Sequence, residues 1–271
     1  MAIEGNRIGT NAAGSAVLPN TGSGIEAFFG QGLLVGGSAP GAGNLISGNG
    51  VAGVRIFAPQ GARIEGNLIG TDLTGKMPLG NIQEGIRIRS GVDPDPAGAG
   101  VSGNIVALNG DSGVVIGVDA ANGSSGNRIS GNSIHDNGGL GIDLGNDGVT
   151  PNVACGSGKG PNLLQNFPIL TSVVRSGAGT RVRGTLNAAP NSAFVLEFFS
   201  SSSCDPSGYG EGERFLGSAR VATDASCNGS FDVTLPVAAP RGSFITATAT
   251  DGAGNTSELS ACQPVGGPER R

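Results

Sequence analysis

The residues of this chain that could do chemistry are carboxylates, because other reactive side chains are scarce. The 271 residues include one histidine, His135, two lysines and no tryptophan. Two carboxylates a few ångströms apart can act as acid and base in cleaving a glycosidic bond. The acidic residues that could line one flank are the candidate catalytic set: Glu65, Asp72, Glu84 and Asp111. We interpret His135, beside Asp136, as a solvated corner residue.

Loops rich in oxygen ligands suggest calcium as a cofactor. Carboxylate and amide oxygens clustered in loops are the ligands that Ca²⁺ prefers. One candidate site consists of Asp143, Asn146 and Asp147, and a second of Asp251 with Asn255. Asp and Asn also shape turns through bonds to their own backbone, and this alternative stays open.

These residues lie in a sequence that repeats itself. Residues 3–10 read IEGNRIGT, and 61 positions later residues 64–71 read IEGNLIGT. A repeated unit cannot bury its apolar face alone and must stack on its neighbours. Stacking like on like would place Glu4 beside Glu65, and Glu26 beside Arg87, on adjacent coils.

Apolar residues in the first half come in short alternating groups, which is typical of strands of two to four residues. Gly, Asn and Ser between the groups tolerate the backbone of sharp corners. Predicted coil starts are Ile3, Leu34, Ile64, Val101 and Ile129. The sequence therefore predicts a parallel β-helix of about five coils over residues 1–149.

Polar and aromatic residues at the corners allow two interpretations. Asparagine recurs at Asn6, Asn44, Asn67, Asn104, Asn127 and Asn132. Such residues can bond to the backbone and to their counterparts on the next coil, which predicts a structural ladder. A row of sugar-binding amides is the alternative. Likewise, we expect Phe28 and Phe29 to pack within or between coils, and an aromatic sugar platform is the alternative.

The second half has a different rhythm. Residues 150–167 form a Pro/Gly/Asn-rich linker. Longer strands follow, and seven of them with alternating patterning over residues 168–263 predict an all-β, Ig-like sandwich. Their predicted ranges are 169–175, 180–187, 193–200, 214–223, 230–235, 243–250 and 256–261. Residues 264–271 are expected to form a disordered tail.

All four cysteines lie in this second half and lack the paired spacing of a zinc site. An even count predicts disulfides formed in an oxidising compartment. If consecutive strands run up and down, Cys204 and Cys262 meet at one end of the sandwich, and Cys155 and Cys227 at the other. Of the three connectivities, we therefore predict Cys204–Cys262 with Cys155–Cys227.

Several segments carry a resemblance to known families. Residues 43–49 (GNLISGN), 67–75 (NLIGTDLTG) and 127–132 (NRISGN) resemble the right-handed parallel β-helix repeats of large bacterial secreted and cell-surface proteins. Residues 162–168, 204–210 and 248–258 are similar to a bacterial Ig-like module that often follows such repeats. The resemblance implies an architecture more than a function, since lyases, glycoside hydrolases, tailspikes and adhesins share this fold. The Asp-Asp pair and Gly-His-Gly element of polygalacturonases are missing.

The composition argues against two classes of function. The net charge of -5 argues against a nucleic-acid partner. Because no run of about 18 apolar residues occurs, membrane insertion is not expected.

The chain opens inside a repeat, so we expect a piece of a longer protein that is secreted or held at the cell surface. The expected role is an adhesive scaffold facing a polysaccharide or cell-surface glycan. A polysaccharide lyase or glycoside hydrolase is the second hypothesis, and a filament or surface-layer segment that self-associates end to end is the third.

Overall fold

The computed structural model describes residues 1–89, 98–118, 124–156 and 158–266. It is an all-β structure in which a parallel β-solenoid of about 4 turns precedes a set of antiparallel sheets. The predicted fold class is therefore confirmed. Asp93, Asp95 and Asp119, which are further acidic residues of the first half, lie outside the described residues.

Each solenoid turn contributes three short strands. The strands are β1 (Ala2–Ile3), β2 (Arg7–Ile8), β3 (Ile25–Phe28), β4 (Leu34–Gly36), β5 (Leu45–Ile46), β6 (Val54–Phe57), β7 (Arg63–Glu65), β8 (Leu68–Ile69), β9 (Ile86–Arg89), β10 (Gly100–Ser102), β11 (Ile105–Ala107), β12 (Val114–Ile116), β13 (Arg128–Ser130), β14 (Ser133–His135) and β15 (Ile142–Leu144). Equivalent strands stack in parallel into a first sheet (β1, β4, β7, β10, β13), a second sheet (β2, β5, β8, β11, β14) and a third sheet (β3, β6, β9, β12, β15). All five predicted coil starts fall within strands of the first sheet.

Alternation along these strands builds the solenoid core. Inward positions of adjacent turns are in register, so that Val35 lies on Ile64 and Ile64 on Val101. These three side chains are fully buried. Burying a branched aliphatic side chain contributes roughly 1.5–3 kcal/mol. Columns of Ile and Val therefore stabilise the stack in all three sheets.

The 61-residue repeat spans two turns rather than one. Ile3 pairs with Val35, and Val35 pairs with Ile64. The expectation that Glu4 lies beside Glu65 on adjacent coils is therefore wrong, since Gly36 is the residue in register with Glu65. Inserted loops at the corners give the turns unequal lengths, and this is why the longer, two-turn period is the one that the sequence displays.

The expected pairing of Glu26 with Arg87 on adjacent coils is wrong for the same reason. Glu26 is in register with Arg55, and Arg55 is in register with Arg87. Glu26 Oε1 lies 3.7 Å from Arg55 Nη1. Glu26 and Arg87 are therefore not on adjacent turns.

A single 3₁₀ turn, Pro161–Leu164, lies in the segment that joins the solenoid to the antiparallel sheets. The following strands are β16 (Ile169–Ser176), β17 (Gly179–Asn187), β18 (Ala193–Ser201), β19 (Arg214–Ala222), β20 (Asn228–Leu235), β21 (Phe244–Thr250) and β22 (Gln263–Pro264). A three-stranded sheet has the order β16-β17-β20, and a four-stranded sheet has the order β19-β18-β21-β22. Side chains from both sheets share one hydrophobic core, among them Val182, Phe198 and Phe231.

The seventh predicted strand, residues 256–261, does not form. The hydroxyl of Ser257 accepts the N–H of Ala249, and that of Ser260 accepts the N–H of Ala247. Side-chain oxygens therefore occupy positions along β21 where a regular strand would offer carbonyls. This irregular path turns Glu258 and Leu259 toward the solenoid.

Part of the expected tail is bound to the fold. Pro264, in β22, pairs with Phe244, and the N–H of Gly266 donates to the carbonyl of Val173. Residues 267–271 lie outside the described residues.

Both predicted disulfides are present. Cys155 is bonded to Cys227 with 5.2 Å between their Cα atoms, and Cys204 to Cys262 with 6.0 Å. They fit an oxidising, extracellular setting. No helix within the described ranges is long and apolar enough to cross a membrane.

Candidate functional site

The four predicted catalytic carboxylates lie in different surroundings. Glu65 ends β7 and lines a groove, whereas Asp72 lies in an exposed turn and Asp111 lines a different cavity. Glu84 is buried and forms an ion pair with Arg87. Neither that groove nor that cavity is lined by a second member of the set, and the catalytic role of all four stays a prediction.

Asp72 and Glu84 have structural partners that account for their positions. Asp72 Oδ1 accepts from the Thr74 hydroxyl at 2.6 Å, and this bond holds the pKa of Asp72 below its usual range. It also accepts from the backbone N–H groups of Thr74, Lys76 and Met77, so Asp72 shapes its own loop. Glu84 forms an ion pair with the guanidinium of Arg87, three positions later in the chain.

The first predicted calcium site is a hydrogen-bonded turn. Asp143 Oδ1 accepts from the N–H of Asp147 at 3.2 Å, and Oδ2 from that of Gly148 at 3.3 Å. Burial raises the pKa of Asp143. Asp143 and Asn146 line an open cavity of about 580 Å³ together with Asp111.

The second predicted calcium site is also a hydrogen-bonded turn. Asp251 accepts from the N–H groups of Ala253 and Asn255 and from the Asn255 side chain. Asn255 Oδ1 in turn accepts from the N–H of Gly126 at 2.6 Å. Across the described ranges, no group of three or more His, Cys, Asp and Glu side chains is placed to hold a metal. Calcium stays a prediction.

His135 ends β14 rather than lying in a solvated loop. Its Nδ1 is 2.8 Å from Asp136 Oδ2, and its side chain is 18% exposed. No other acidic partner approaches it among the described residues, so the pair is a local contact at the last turn.

The corner asparagines form a ladder of amides that are hydrogen-bonded from turn to turn. Oδ1 of Asn67 accepts from the backbone N–H and from Nδ2 of Asn44, and Oδ1 of Asn104 accepts from both groups of Asn67. The ladder runs from Asn6 to Asn132. The buried amides of this ladder, from Asn44 to Asn132, use their oxygen and Nδ2 within the solenoid, whereas Asn6 is exposed at its first turn. Asn127 is not part of it and bonds to Asn162 instead.

A second ladder escaped the sequence reasoning. Asn49 donates to Asn81, Asn81 to Asn109, and Asn109 to Asn137. The Asn-Gly pairs at residues 49, 109 and 137 were the signal that could have revealed it. Together the two ladders fix two corners of the solenoid.

An open groove of about 860 Å³ runs along the corner between the first and second sheets. We call it the glycine–serine groove; its lining includes Gly37, Ser38, Gly66, Ser102, Gly103, Ser130 and Gly131, with Glu65 and Glu197 as its carboxylates. Glu65, Ser102 and Ser130 are in register on successive turns. The groove therefore crosses several turns and reaches the second half of the chain.

Glu197 closes one end of this groove. Its Oε2 accepts from the N–H of Gly131 at 2.8 Å, and burial raises its pKa. Sequence reasoning missed Glu197 because it belongs to β18, far along the chain from the other lining residues. No pattern in the sequence relates it to the solenoid.

A second feature lies on the outward side of the third sheet. Its members are Phe28, Arg55, Phe57, Arg87 and Arg89, which we call the arginine–phenylalanine face. The rings of Phe28 and Phe57 stack with 4.8 Å between centroids and 3° between planes. The guanidiniums of Arg55 and Arg89 lie 5.4 and 5.2 Å from the Phe57 centroid.

Phe28 agrees in part with each of the two earlier interpretations of the phenylalanines. The Phe28 ring stacks on a neighbouring turn, as expected, yet its residue is 66% exposed. The arginines were missed, although Arg55 in β6 and Arg87-Ile88-Arg89 in β9 stand at matching positions after a Gly. Because side chains alternate between the two faces of a strand, all three arginines lie on the outward face.

No protein-family model matches the chain, and no curated protein sequence is significantly similar to it.

Proposed function

We propose that this chain is an extracellular adhesive scaffold segment, from a secreted or surface-held bacterial protein, that holds a glycan in the glycine–serine groove. The observation that carries the proposal is the groove itself. Most of its lining residues are small or polar, with Leu45, Leu68 and Leu73 as the larger apolar ones, and serines stand in register on successive turns. A polymer of hydroxylated units suits such a surface, because each turn offers a similar set of hydrogen-bonding groups at intervals of about 4.8 Å.

The charge of the groove selects a class of glycan. Glu65 and Glu197 are its carboxylates, and Arg63 Nη1 lies 3.8 Å from Glu65 Oε1. Two carboxylates disfavour a polyanion by like-charge repulsion. The groove therefore suits a neutral or amino-bearing polysaccharide.

The second half serves as spacer and cap in this proposal, and we assign it to the Ig-like modules. Phe199 and Leu259 belong to the same hydrophobic cluster as the solenoid core. A solenoid end exposes unpaired strand edges, which are prone to aggregation. Covering that end keeps a long binding flank soluble.

The test is binding of neutral and amino-bearing polysaccharides by titration calorimetry. Ser102→Tyr and Ser130→Tyr place rings in the groove, and we expect each to abolish binding. Ser230→Tyr, at an exposed position of β20, is the matched control and should bind as the parent chain does. Failure of every polymer to bind, or equal loss in the control, would refute the proposal.

A glycoside hydrolase is the second candidate, and one observation favours it. Glu65 and Glu197 line the same groove, and burial favours the protonated form of Glu197. Inverting glycosidases place an acid and a base about 6.5–9.5 Å apart. Release of reducing ends that disappears in both Glu65→Gln and Glu197→Gln would establish this activity, whereas binding without release supports the scaffold.

End-to-end self-association is the third candidate. The last turn is covered by the second half, so the edges of β1, β2 and β3 are the ones available for stacking. Light scattering over a range of protein concentrations tests this. A mass that stays constant would exclude it.

A further inference from the structure

We infer that the arginine–phenylalanine face binds a uronate unit of an acidic polysaccharide. This inference does not depend on the glycine–serine groove, since the two surfaces share no residue. It rests on three guanidiniums on adjacent strands whose hydrogen-bonding capacity is nearly unused, next to stacked aromatic rings.

The guanidiniums stand close together by register. Arg55 pairs with Arg87, and Phe57 pairs with Arg89, on neighbouring parallel strands. Adjacent strands lie about 4.8 Å apart, and residues two apart on a strand share a face. The three cationic side chains therefore share one side of the third sheet. Repulsion from Arg87 and Arg55 lowers the pKa of Arg89, an effect that adds to the larger one of burial.

The face has donors in excess. A guanidinium carries five N–H donors in a planar fork. Within the part of the chain that the structure describes, Arg87 donates to Glu84, while Arg55 and Arg89 donate no hydrogen bond. Arg55 is 3.7 Å from Glu26, beyond hydrogen-bonding distance. Among the residues that the structure describes, three cations thus face two carboxylates, and neither of these pairs with Arg89.

Buried polar atoms without partners concentrate at the same place. They include Arg55 Nε, Arg87 Nε and Glu84 Oε2. The Glu84 side chain is only 2% exposed. A buried polar atom without a partner is costly and calls for a specific explanation. A ligand that draws the guanidiniums onto its own carboxylate and donates a hydroxyl to Glu84 would satisfy all three atoms.

These requirements select the chemical class. A planar carboxylate matches the guanidinium fork and can accept two parallel bonds. The apolar side of a sugar ring can pack on the exposed Phe28 ring, which supplies apolar area. Glu84 disfavours a doubly charged phosphate but accepts from a hydroxyl. A sugar that carries both a carboxylate and hydroxyls, such as a hexuronate, meets each condition.

The probe is polygalacturonate, with dextran as the neutral comparison and a sulfated polysaccharide as the anionic one. We expect polygalacturonate to bind more tightly than both, and less tightly as salt is raised. Arg55→Gln and Arg89→Gln should each weaken binding about 10- to 100-fold, the range for a lost charge-assisted bond. Arg89→Lys should also weaken it, because the charge remains but the fork does not.

Arg220→Gln is the matched control, since it removes the same charge from an exposed position on β19. Unchanged binding in this variant and in Ser102→Tyr would locate the ligand on the proposed face. Three results would overturn the inference: polygalacturonate that fails to bind, equal weakening by Arg220→Gln, or tighter binding of the sulfated polymer. Thermal melting of every variant distinguishes lost binding from lost folding.

Discussion

Glu258 accepts a hydrogen bond from the backbone N–H of Leu144, with 3.0 Å between Oε1 and the amide nitrogen. Leu144 ends the last strand of the third sheet, so a carboxylate from the second half of the chain satisfies an edge donor of the solenoid. Glu258 Oε2 also accepts from the N–H of Thr150 at 2.9 Å. Burial raises the pKa of Glu258 to about 7, even though these bonds favour its charged form.

The edges of the other two sheets are covered in the same way. Ile129 in the first sheet donates to the Thr256 hydroxyl at 2.9 Å. In the second sheet, Ile134 and Gly212 exchange backbone hydrogen bonds, and Asp136 donates to Glu211 Oε2 at 2.9 Å. The second half therefore replaces the partners that a further turn would have provided.

Glu211 makes folding depend on pH. Burial, together with repulsion from Asp136, Asp205 and Glu213, raises its pKa from 4.5 to about 8. Between these values the folded chain keeps a proton that the unfolded chain has lost, so the contribution of Glu211 to stability is full below about pH 4.5 and is lost as pH rises toward 8. The cost is at most about 1.4 kcal/mol per pH unit.

Glu211→Gln keeps an oxygen for the N–H of Asp136 and removes the buried charge. We expect it to match the parent chain near pH 5 and to be more stable near pH 9, as measured by urea unfolding. Glu4→Gln, at an exposed position, is the control and should leave the pH dependence unchanged. A Glu211→Gln variant with the parent pH profile would contradict the assignment.

Leu259 comes from the second half of the chain and packs into the core of the solenoid. It is 4% exposed and belongs to the hydrophobic cluster of the solenoid. Leu259→Ala should lower the free energy of unfolding by about 2–5 kcal/mol, because the cavity adds to the lost burial. Leu18→Ala, at a residue that is 67% exposed, should change it by less than about 0.5 kcal/mol. Equal effects in the two variants would show that Leu259 does not anchor the cap.

Asn67 is expected to act on stability and not on ligand binding. Asn67→Ala leaves the N–H and Nδ2 of Asn44 and the carbonyl of Val35 without their partner. Each buried group left unpaired costs about 1–3 kcal/mol. Chemical unfolding should report this loss, whereas Asn228→Ala at an exposed position should report little. Lost glycan binding with full stability would favour the sugar-binding interpretation of the asparagines.

Calcium binding at Asp143 can be tested by melting. The prediction requires a higher Tm in calcium than in chelator, because a ligand that binds the folded chain alone stabilises it. Asp143→Asn should remove the shift, and Asp251→Asn should report separately on the second site. An unchanged Tm would contradict the prediction at both positions.

The sequence by itself determined the repeat and its local consequences. Period-two alternation specified which side chains enter the solenoid, and Gly and Asn specified the corners, so the five coil starts were predictable. The up-and-down strand order also predicted the pairs Cys155–Cys227 and Cys204–Cys262 correctly, although the last strand of that argument, residues 256–261, does not form. These features follow from the regular spacing of residues in the sequence.

Only the tertiary structure decided how the turns and the two halves meet. The vertical neighbour of Glu26 depends on the length of inserted loops, so Arg55 rather than Arg87 lies beside it. The path of Glu258 and Leu259 depends on the solenoid end that they cover, and a strand pattern in residues 256–261 gave no sign of it. The contacts that Glu258 makes with the solenoid join residues more than 100 positions apart, such as Leu144 and Glu258. No local preference encodes them.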